Sequence, residues 1–501
     1  MVKDILLCLL SAALLIFSFP KPGIWIFAWF GFIPLFVALK NKTKLKSFIL
    51  AGFTGLVFWW GVIYWLCHVT ALGTVILIFY LSLYFGLFGL CIYFSNNSKL
   101  PTPYSLFFLP SAWVALEYSR SYLLTGFPWA ILGYSQYLNT DFVQFVDITG
   151  AWGASFLLIL INIILLLIFS KDLKREKKLL LSVFLTLLIF LVYNYGWWRL
   201  NSLKGAKKIG EIKIASLQGN IPQEMKWDYG SRKVIIDKYL DLTKMAILDG
   251  AKLIVWPEAS LPIVPEENPL EFGLVSEVCR KSKVPVLLGA VTSKDELYFN
   301  SALLISSQGE VAAQYDKTHL VPFGEYIPLR KALPFLETIV PIGDVSAGKK
   351  DLVFYLDHRK TGVRYEFSSL ICFEDVFPDI SRKFVKKGAE FLVNMTNDAW
   401  YKKTSAPYQH MQASIFRAME NRVYLVRSAN TGVTCFISPQ GDIISKVVDA
   451  GNNDIFIEGF ISEKIPILDT RKTFYTKYGD IFAVSCFLFS ALFLVIRRKN
   501  V

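Results

Sequence analysis

Runs of apolar residues broken by short lysine- and arginine-rich stretches fill the first two hundred positions, and the pattern returns near the C-terminus. A helix rises about 1.5 Å per residue, so about 20 mostly apolar residues are needed to cross a bilayer core. Eight segments approach that requirement: 5–19, 23–39, 47–67, 72–94, 104–118, 155–169, 179–198 and 480–496. The fifth is the weakest, since Pro110 interrupts it and Glu117 lies near its end. The first has Lys3 ahead of an apolar run, as a signal peptide does. No small-residue cleavage site follows it and a second apolar run begins at once, so it reads as a retained anchor. The block from 200 to 477 has another rhythm. Short β-rich runs at 212–217, 253–256, 284–288, 302–306, 368–372, 391–395 and 433–437 predict strands. Three- and four-residue apolar spacing predicts helices over 231–248 and 408–421. Such alternation predicts a layered α/β domain. The expected organisation is a transmembrane helical bundle at 1–199 with seven helices, an extramembrane α/β domain at 200–477, and a single transmembrane helix at 478–501. The stretch 318–350 exceeds the usual loop length and is a candidate lid or binding loop.

Charge orients this arrangement. The basic clusters are Lys40, Lys42, Lys44 and Lys46; Lys171, Lys174, Arg175, Lys177 and Lys178; and Arg497, Arg498 and Lys499. All three fall on one side if the N-terminus is inside, which places both termini in the cytoplasm and the 200–477 domain across the membrane. Much of the net charge of +13 therefore reads as orientation signal and not as a nucleic-acid surface. With 54% hydrophobic and 19% charged residues, against roughly 25% charged in soluble domains, the chain is no disordered protein. The seven cysteines include no CxxC pair and the four histidines no HExxH, which argues against a disulfide framework and against bound zinc. Glu117 and Arg120 are costly inside lipid, so they predict a mutual pair or a headgroup site unless they lie outside the hydrocarbon.

Three segments of the 200–477 block carry candidate chemistry: Trp256-Pro257-Glu258, Tyr315-Asp316-Lys317 with Pro322-Phe323-Gly324-Glu325-Tyr326 after it, and Ile371-Cys372-Phe373-Glu374. Each sits at a predicted strand end, where a rigid scaffold places functional side chains. A free thiol is only a few per cent ionised at neutral pH, so a nucleophilic Cys372 needs a base. Glu258 is the candidate base, and Lys317 and the backbone N–H of Phe373 are candidates to stabilise an oxyanion. The competing readings are plain: Glu258 as a helix-start acid, Lys317 as a solvated lysine, and Glu325 and Glu374 as surface charges. Cys279 and Cys435 read as small buried hydrophobes, His410 as structural, and His319 as an alternative partner for Cys372.

The order Glu258, Lys317, Cys372, with Lys317 following Glu258 by 59 residues and Cys372 following Lys317 by 55, resembles the Glu–Lys–Cys triad of the nitrilase superfamily. The whole chain resembles the apolipoprotein N-acyltransferases of bacteria, its membrane-bound branch. The strings that carry this are Thr125-Gly126-Phe127-Pro128-Trp129, Gly133-Tyr134-Ser135-Gln136, Gln218-Gly219-Asn220-Ile221-Pro222-Gln223, Lys226-Trp227, 319–328 and Asn397-Asp398-Ala399-Trp400. The resemblance implies an α-β-β-α sandwich outside an eight-helix membrane domain. It implies transfer of the sn-1 acyl chain of a phospholipid such as phosphatidylethanolamine, through a Cys372 thioester, to the α-amine of a diacylglyceryl-cysteine at an apolipoprotein N-terminus. Glu258 serves as proton acceptor, Lys317 as oxyanion support, and Glu325 and Glu374 as carboxylates that hold Lys317. Trp227, Phe323, Tyr326 and Trp400 become substrate contacts, and the segment 320–336 a water-excluding lid. No metal or other cofactor is implied. The setting implied is the bacterial inner membrane, with the catalytic domain periplasmic and the chain a monomer. The alternatives are a membrane-anchored amidase or nitrilase acting on a small C–N substrate, and a scaffold with an inactive domain.

Overall fold

The computed structural model describes residues 1–97, 102–322, 324–326, 345–357, 364–469 and 471–499. It divides into two compact units: Met1–Lys204 with Thr473–Val501, and Gly205–Lys472.

The first unit is helical. Among the described residues, four stretches are long and apolar enough to cross a membrane: Lys44–His68, Ala71–Asn96, Ala151–Phe169 and Arg175–Lys204. Helices Val2–Phe17, Thr102–Arg120 and Ile481–Lys499 occupy three further expected segments but are shorter or less apolar. The expected segment 23–39 is not one helix. A 3-10 turn at Trp25–Trp29 gives way to a short helix at Ile33–Leu39, with Gly31 and Pro34 at the break. A broken segment in an apolar setting must satisfy its freed backbone groups internally. Asn162 does so from both ends of its amide, accepting from Phe32 N–H at 2.8 Å and donating to the Ala28 carbonyl at 2.9 Å. Gln136 adds a bond to the Trp25 carbonyl at 2.9 Å and accepts from Trp29 Nε1 at 2.9 Å. Glu117 and Arg120 are both buried and form a pair, with Nη2 3.8 Å from Oε1. Arg120 also donates to the carbonyls of Phe127 and Trp129, at 2.6 and 2.8 Å, and lies over the Trp59 ring. Glu117 accepts from Leu132 N–H at 2.7 Å. The pair therefore locks the segment after its own helix.

The second unit is built on two six-stranded sheets. In chain order the strands are β1 (Lys208–Gln218), β2 (Leu253–Val255), β3 (Val286–Lys294), β4 (Leu297–Ile305), β5 (Val311–Asp316), β6 (Phe354–Asp357), β7 (Arg364–Ile371), β8 (Phe391–Thr396), β9 (Tyr424–Ala429), β10 (Cys435–Ile437), β11 (Ile443–Lys446) and β12 (Gly459–Leu468). The first sheet runs β12-β1-β2-β3-β4-β5 and the second β11-β10-β9-β8-β7-β6. Side-chain bonds tie one sheet to the other: Ser216 Oγ donates to the Arg427 carbonyl, and Ser428 Oγ to that of Leu217. Helices Arg232–Leu248 and Pro269–Ser282 cover the outer face of the first sheet. There Ile235, Ile236, Leu242, Val275 and Cys279 join Ile254 and Val286 in one core, and Tyr239 stacks on Trp256. Helices Pro378–Lys387 and Ala406–Asn421 lie against β7 and β9 of the second. The layering is α-β-β-α. Strands β5, β6, β9, β11 and β12, and the helices at 269–282 and 378–387, go beyond the elements expected from the sequence.

Candidate active site

Glu258 sits in a tight turn after β2. That turn crosses Gly289 of β3 so closely that a Cβ there would lie 2.4 Å from the Pro257 carbonyl oxygen and 2.5 Å from the Ala259 nitrogen. Ala259 takes a φ of +41°, and Leu261 N–H bonds back to the Gly289 carbonyl at 3.1 Å. Lys317 follows β5 and is 1% exposed; its N–H bonds the Asn300 carbonyl on β4 at 2.8 Å. Cys372 directly follows β7 and opens a 3-10 turn, Cys372–Val376, with a φ of +52°. Its carbonyl accepts from Asn394 Nδ2 at 3.2 Å. Two triad candidates thus come from the first sheet and the thiol from the second.

The Lys317 ammonium lies 2.8 Å from Glu325 Oε2 and 3.6 Å from Glu258 Oε1. Burial alone would lower its pKa, but the charges of Glu325 and Glu258 outweigh that and raise it, so Lys317 is a permanent cation. Burial likewise pushes Glu325 up, and the Lys317 charge with bonds from Asn300 and Val321 N–H brings it below the ordinary carboxylate value. Burial drives the Cys372 thiol well above its usual pKa and the Glu258 carboxylate adds to this, with Lys317 opposing. The resting site therefore holds a thiol, and its proton needs an acceptor within the cluster.

Two residues of this cluster were not anticipated as site residues. Asn300 Nδ2 donates to Glu258 Oε1 and to Glu325 Oε1, both at 2.8 Å, bridging the carboxylates on either side of Lys317. Lys226 is buried and donates to the Glu258 carbonyl at 3.0 Å. Nothing in sequence marks Asn300, which sits mid-strand, whereas Lys226 lies within one of the strings quoted above.

Glu374 does not reach the Lys317 ammonium. Its Oε1 accepts from Tyr315 Oη and Thr318 N–H, each at 2.7 Å, and from Thr318 Oγ1 at 2.9 Å; its Oε2 accepts from Ile371 N–H at 2.8 Å. It clamps the backbone on both sides of the cluster, after Lys317 and before Cys372. His319 donates its N–H to the same carboxylate and packs its ring against Phe377, centroids 3.8 Å apart and planes tilted by 39°. Behind Cys372 lies a fully buried charge network. His410 bridges Asp375 and Asp398, with Nε2 and Nδ1 at 2.8 and 2.9 Å. Arg427 contacts the same two carboxylates, at 3.1 Å each. Trp227 and Trp400 are each 49% exposed, and their loops are joined by Asn397 Nδ2 donating to Gln223 Oε1 at 2.8 Å. Tyr326 is half-buried and Phe323 lies outside the described residues. Among the described residues, no group of three or more His, Cys, Asp and Glu side chains is placed to hold a metal ion.

Comparison with known proteins decides the family. The chain is 37% identical, over all of its length and 96% of the other, to an apolipoprotein N-acyltransferase from Geobacter metallireducens. The chain belongs to the apolipoprotein N-acyltransferase family. A second member, from Rickettsia typhi, is 31% identical over 80% of each chain. Residues 11–164 match the apolipoprotein N-acyltransferase N-terminal domain and residues 213–459 the carbon-nitrogen hydrolase family. The first match falls within the helical unit. The second spans the positions of Glu258, Lys317 and Cys372. An amidase structure from Nesterenkonia sp. aligns with 53% of this chain and 96% of its own, at 20% identity and a TM-score of 0.39.

Proposed function

We propose that this acyltransferase moves the sn-1 acyl chain of a phospholipid, phosphatidylethanolamine in the first instance, to the α-amine of a diacylated apolipoprotein. The full-length match to an apolipoprotein N-acyltransferase carries the reading, and the Glu258, Lys317 and Cys372 cluster supports its chemistry. Glu258 takes the thiol proton as Cys372 Sγ attacks the ester carbonyl. The oxyanion is met by the Lys317 ammonium and the Phe373 N–H, an interaction of a kind worth about 3–4 kcal/mol of barrier. Collapse breaks the ester bond, and Glu258 returns the proton to the leaving lysophospholipid. The acceptor amine then attacks the thioester, gives its proton to Glu258, and regenerates the thiol. Glu325 keeps Lys317 charged and aimed, and Glu374 fixes the segments that carry Lys317 and Cys372. The half-exposed Trp227 and Trp400, with Tyr326 and Phe323, meet lipid or acceptor.

Eight crossings with both termini in the cytoplasm put this site at the outer face of the bacterial inner membrane. The basic clusters support that orientation. The enzyme acts as a monomer and draws only on lipid and lipoprotein, since the ester already supplies an activated acyl group. Intact-mass spectrometry of the full chain after exposure to phosphatidylethanolamine tests the reading. The expected result is one added acyl mass on Cys372, discharged by a diacylated lipopeptide and absent in Cys372→Ala. Acylation of another cysteine, or none from phospholipid, overturns it.

A further inference from the structure

Lys226 is a buried cation that the mechanism above leaves unused. It comes from the loop after β1, next to the half-exposed Trp227, and is itself only 4% exposed. An ammonium carries three N–H donors. Among the described residues one of them is met, by the neutral carbonyl of Glu258 at 3.0 Å, and no carboxylate forms an ion pair with it. Burying a charge without a counter-charge is expensive. Burial pulls this lysine's pKa down to about 8, with the Glu258 charge holding it up against that. Lys317 differs in kind: its ammonium is neutralised by Glu325 and faces Glu258. Among the described residues the cluster thus contains one cation matched by carboxylates and another with two donors to spare.

A phospholipid donor brings a phosphodiester anion a few bonds from the ester that Cys372 attacks, and a lipid ester admitted to Cys372 carries that anion with it. We propose that Lys226 is an anion-binding residue of the acyl-donor site, its free N–H donors taking a phosphate oxygen of the donor's headgroup while the ester lies at Cys372. The assignment rests on the phospholipid reading above and deepens it. It makes Lys226 a determinant of which esters acylate the enzyme and leaves the thiol chemistry to Glu258 and Lys317.

The test uses the full chain in detergent and follows thioester formation on Cys372 by mass, in wild type, Lys226→Met and Lys226→Arg. The donors are phosphatidylethanolamine and a neutral p-nitrophenyl ester of a fatty acid. A hydrogen bond to a charged group is worth about 1.5–3 kcal/mol, so Lys226→Met should acylate from phospholipid roughly 10- to 150-fold more slowly. Its loss with the neutral ester, which brings no phosphate, should be at least about tenfold smaller than its loss with phospholipid, and Lys226→Arg should recover much of the phospholipid rate. Inorganic phosphate separates the two sources of the anion. Inhibition of wild type by phosphate that Lys226→Met escapes means the site takes free anion; no inhibition means it takes phosphate only as part of the lipid. Both agree with the proposal. Equal losses with the two donors would overturn it, assigning Lys226 to the Glu258 turn that it bonds, and so would an unchanged phospholipid rate. A wild type that accepts the neutral ester but no phospholipid would instead overturn the functional reading, and this proposal with it.

Discussion

Removing the imidazole of His410 tests whether the charge network behind Cys372 is held by a protonated histidine. Burial alone would lower the His410 pKa. The Asp375 carboxylate, aided by Asp398 and opposed by Arg427, lifts it from 6.5 to about 9. The folded chain thus keeps this proton to about pH 9, while the unfolded chain releases it near 6.5. The stability it contributes is complete below pH 6.5 and lost as pH rises through 9, at up to about 1.4 kcal/mol per pH unit and about 3 kcal/mol in all. His410→Gln keeps one hydrogen bond and removes the charge, leaving Arg427 alone against two buried carboxylates, which costs about 3–5 kcal/mol at pH 6. Thermal unfolding of both full chains in one detergent, from pH 6 to 9.5, reads this directly. At about 2–4 °C per kcal/mol, the gap in Tm should shrink by roughly 6–12 °C across that window. A gap that stays constant with pH would refute the reasoning, because a neutral His410 contributes nothing that titrates there.

Asn300→Leu removes the amide that bridges Glu258 and Glu325; single-turnover acylation should slow at least about tenfold, with little change in lipid KM. Gly289→Ala drives a methyl into the Glu258 turn, so activity should fall at least about tenfold alongside a stability loss of about 1–3 kcal/mol by denaturant unfolding. Glu325→Gln deletes the strongest influence holding Lys317 protonated, so the alkaline limb of the pH–rate profile should move to lower pH; an unmoved limb would show that Glu258 alone suffices. Glu374→Gln keeps an acceptor oxygen for the four donors at Oε1 but sets its amide NH2 against the Ile371 N–H that Oε2 now accepts, and should lower Tm and kcat together.

The reactive residues were legible because each sits in a distinctive short string, with Glu258 and Cys372 also at the ends of expected strands. Their supports were not, since those depend on neighbours far away in the chain. Asn300 reads as a polar residue inside an ordinary strand until β4 sets it between Glu258 and Glu325. Arg427 makes β9 look unlike a buried strand, because the two carboxylates that neutralise it come from Asp375 and Asp398. In β12, Glu463, Lys464 and Pro466 mask a strand whose partner, β1, begins 250 residues earlier. The break within 23–39 was hidden for a related reason: apolar composition counts residues, whereas the amides of Asn162 and Gln136 that make the break tolerable lie more than a hundred positions on.

The pairing of β1 with β12 also bears on how the chain is made. It runs antiparallel from Lys208 against Leu468 to Gln218 against Gly459, so one edge of β1 waits until 241 further residues have been synthesised. At roughly 5–20 residues per second that is some 10–50 s of exposed, unpaired edge. Helix Ile481–Lys499 leaves the ribosome only shortly after β12. Closure of the sheet and emergence of the final helix therefore fall almost together in time, and a chain stalled or cut between β11 and β12 keeps every reactive side chain while leaving an open strand to recruit its neighbours.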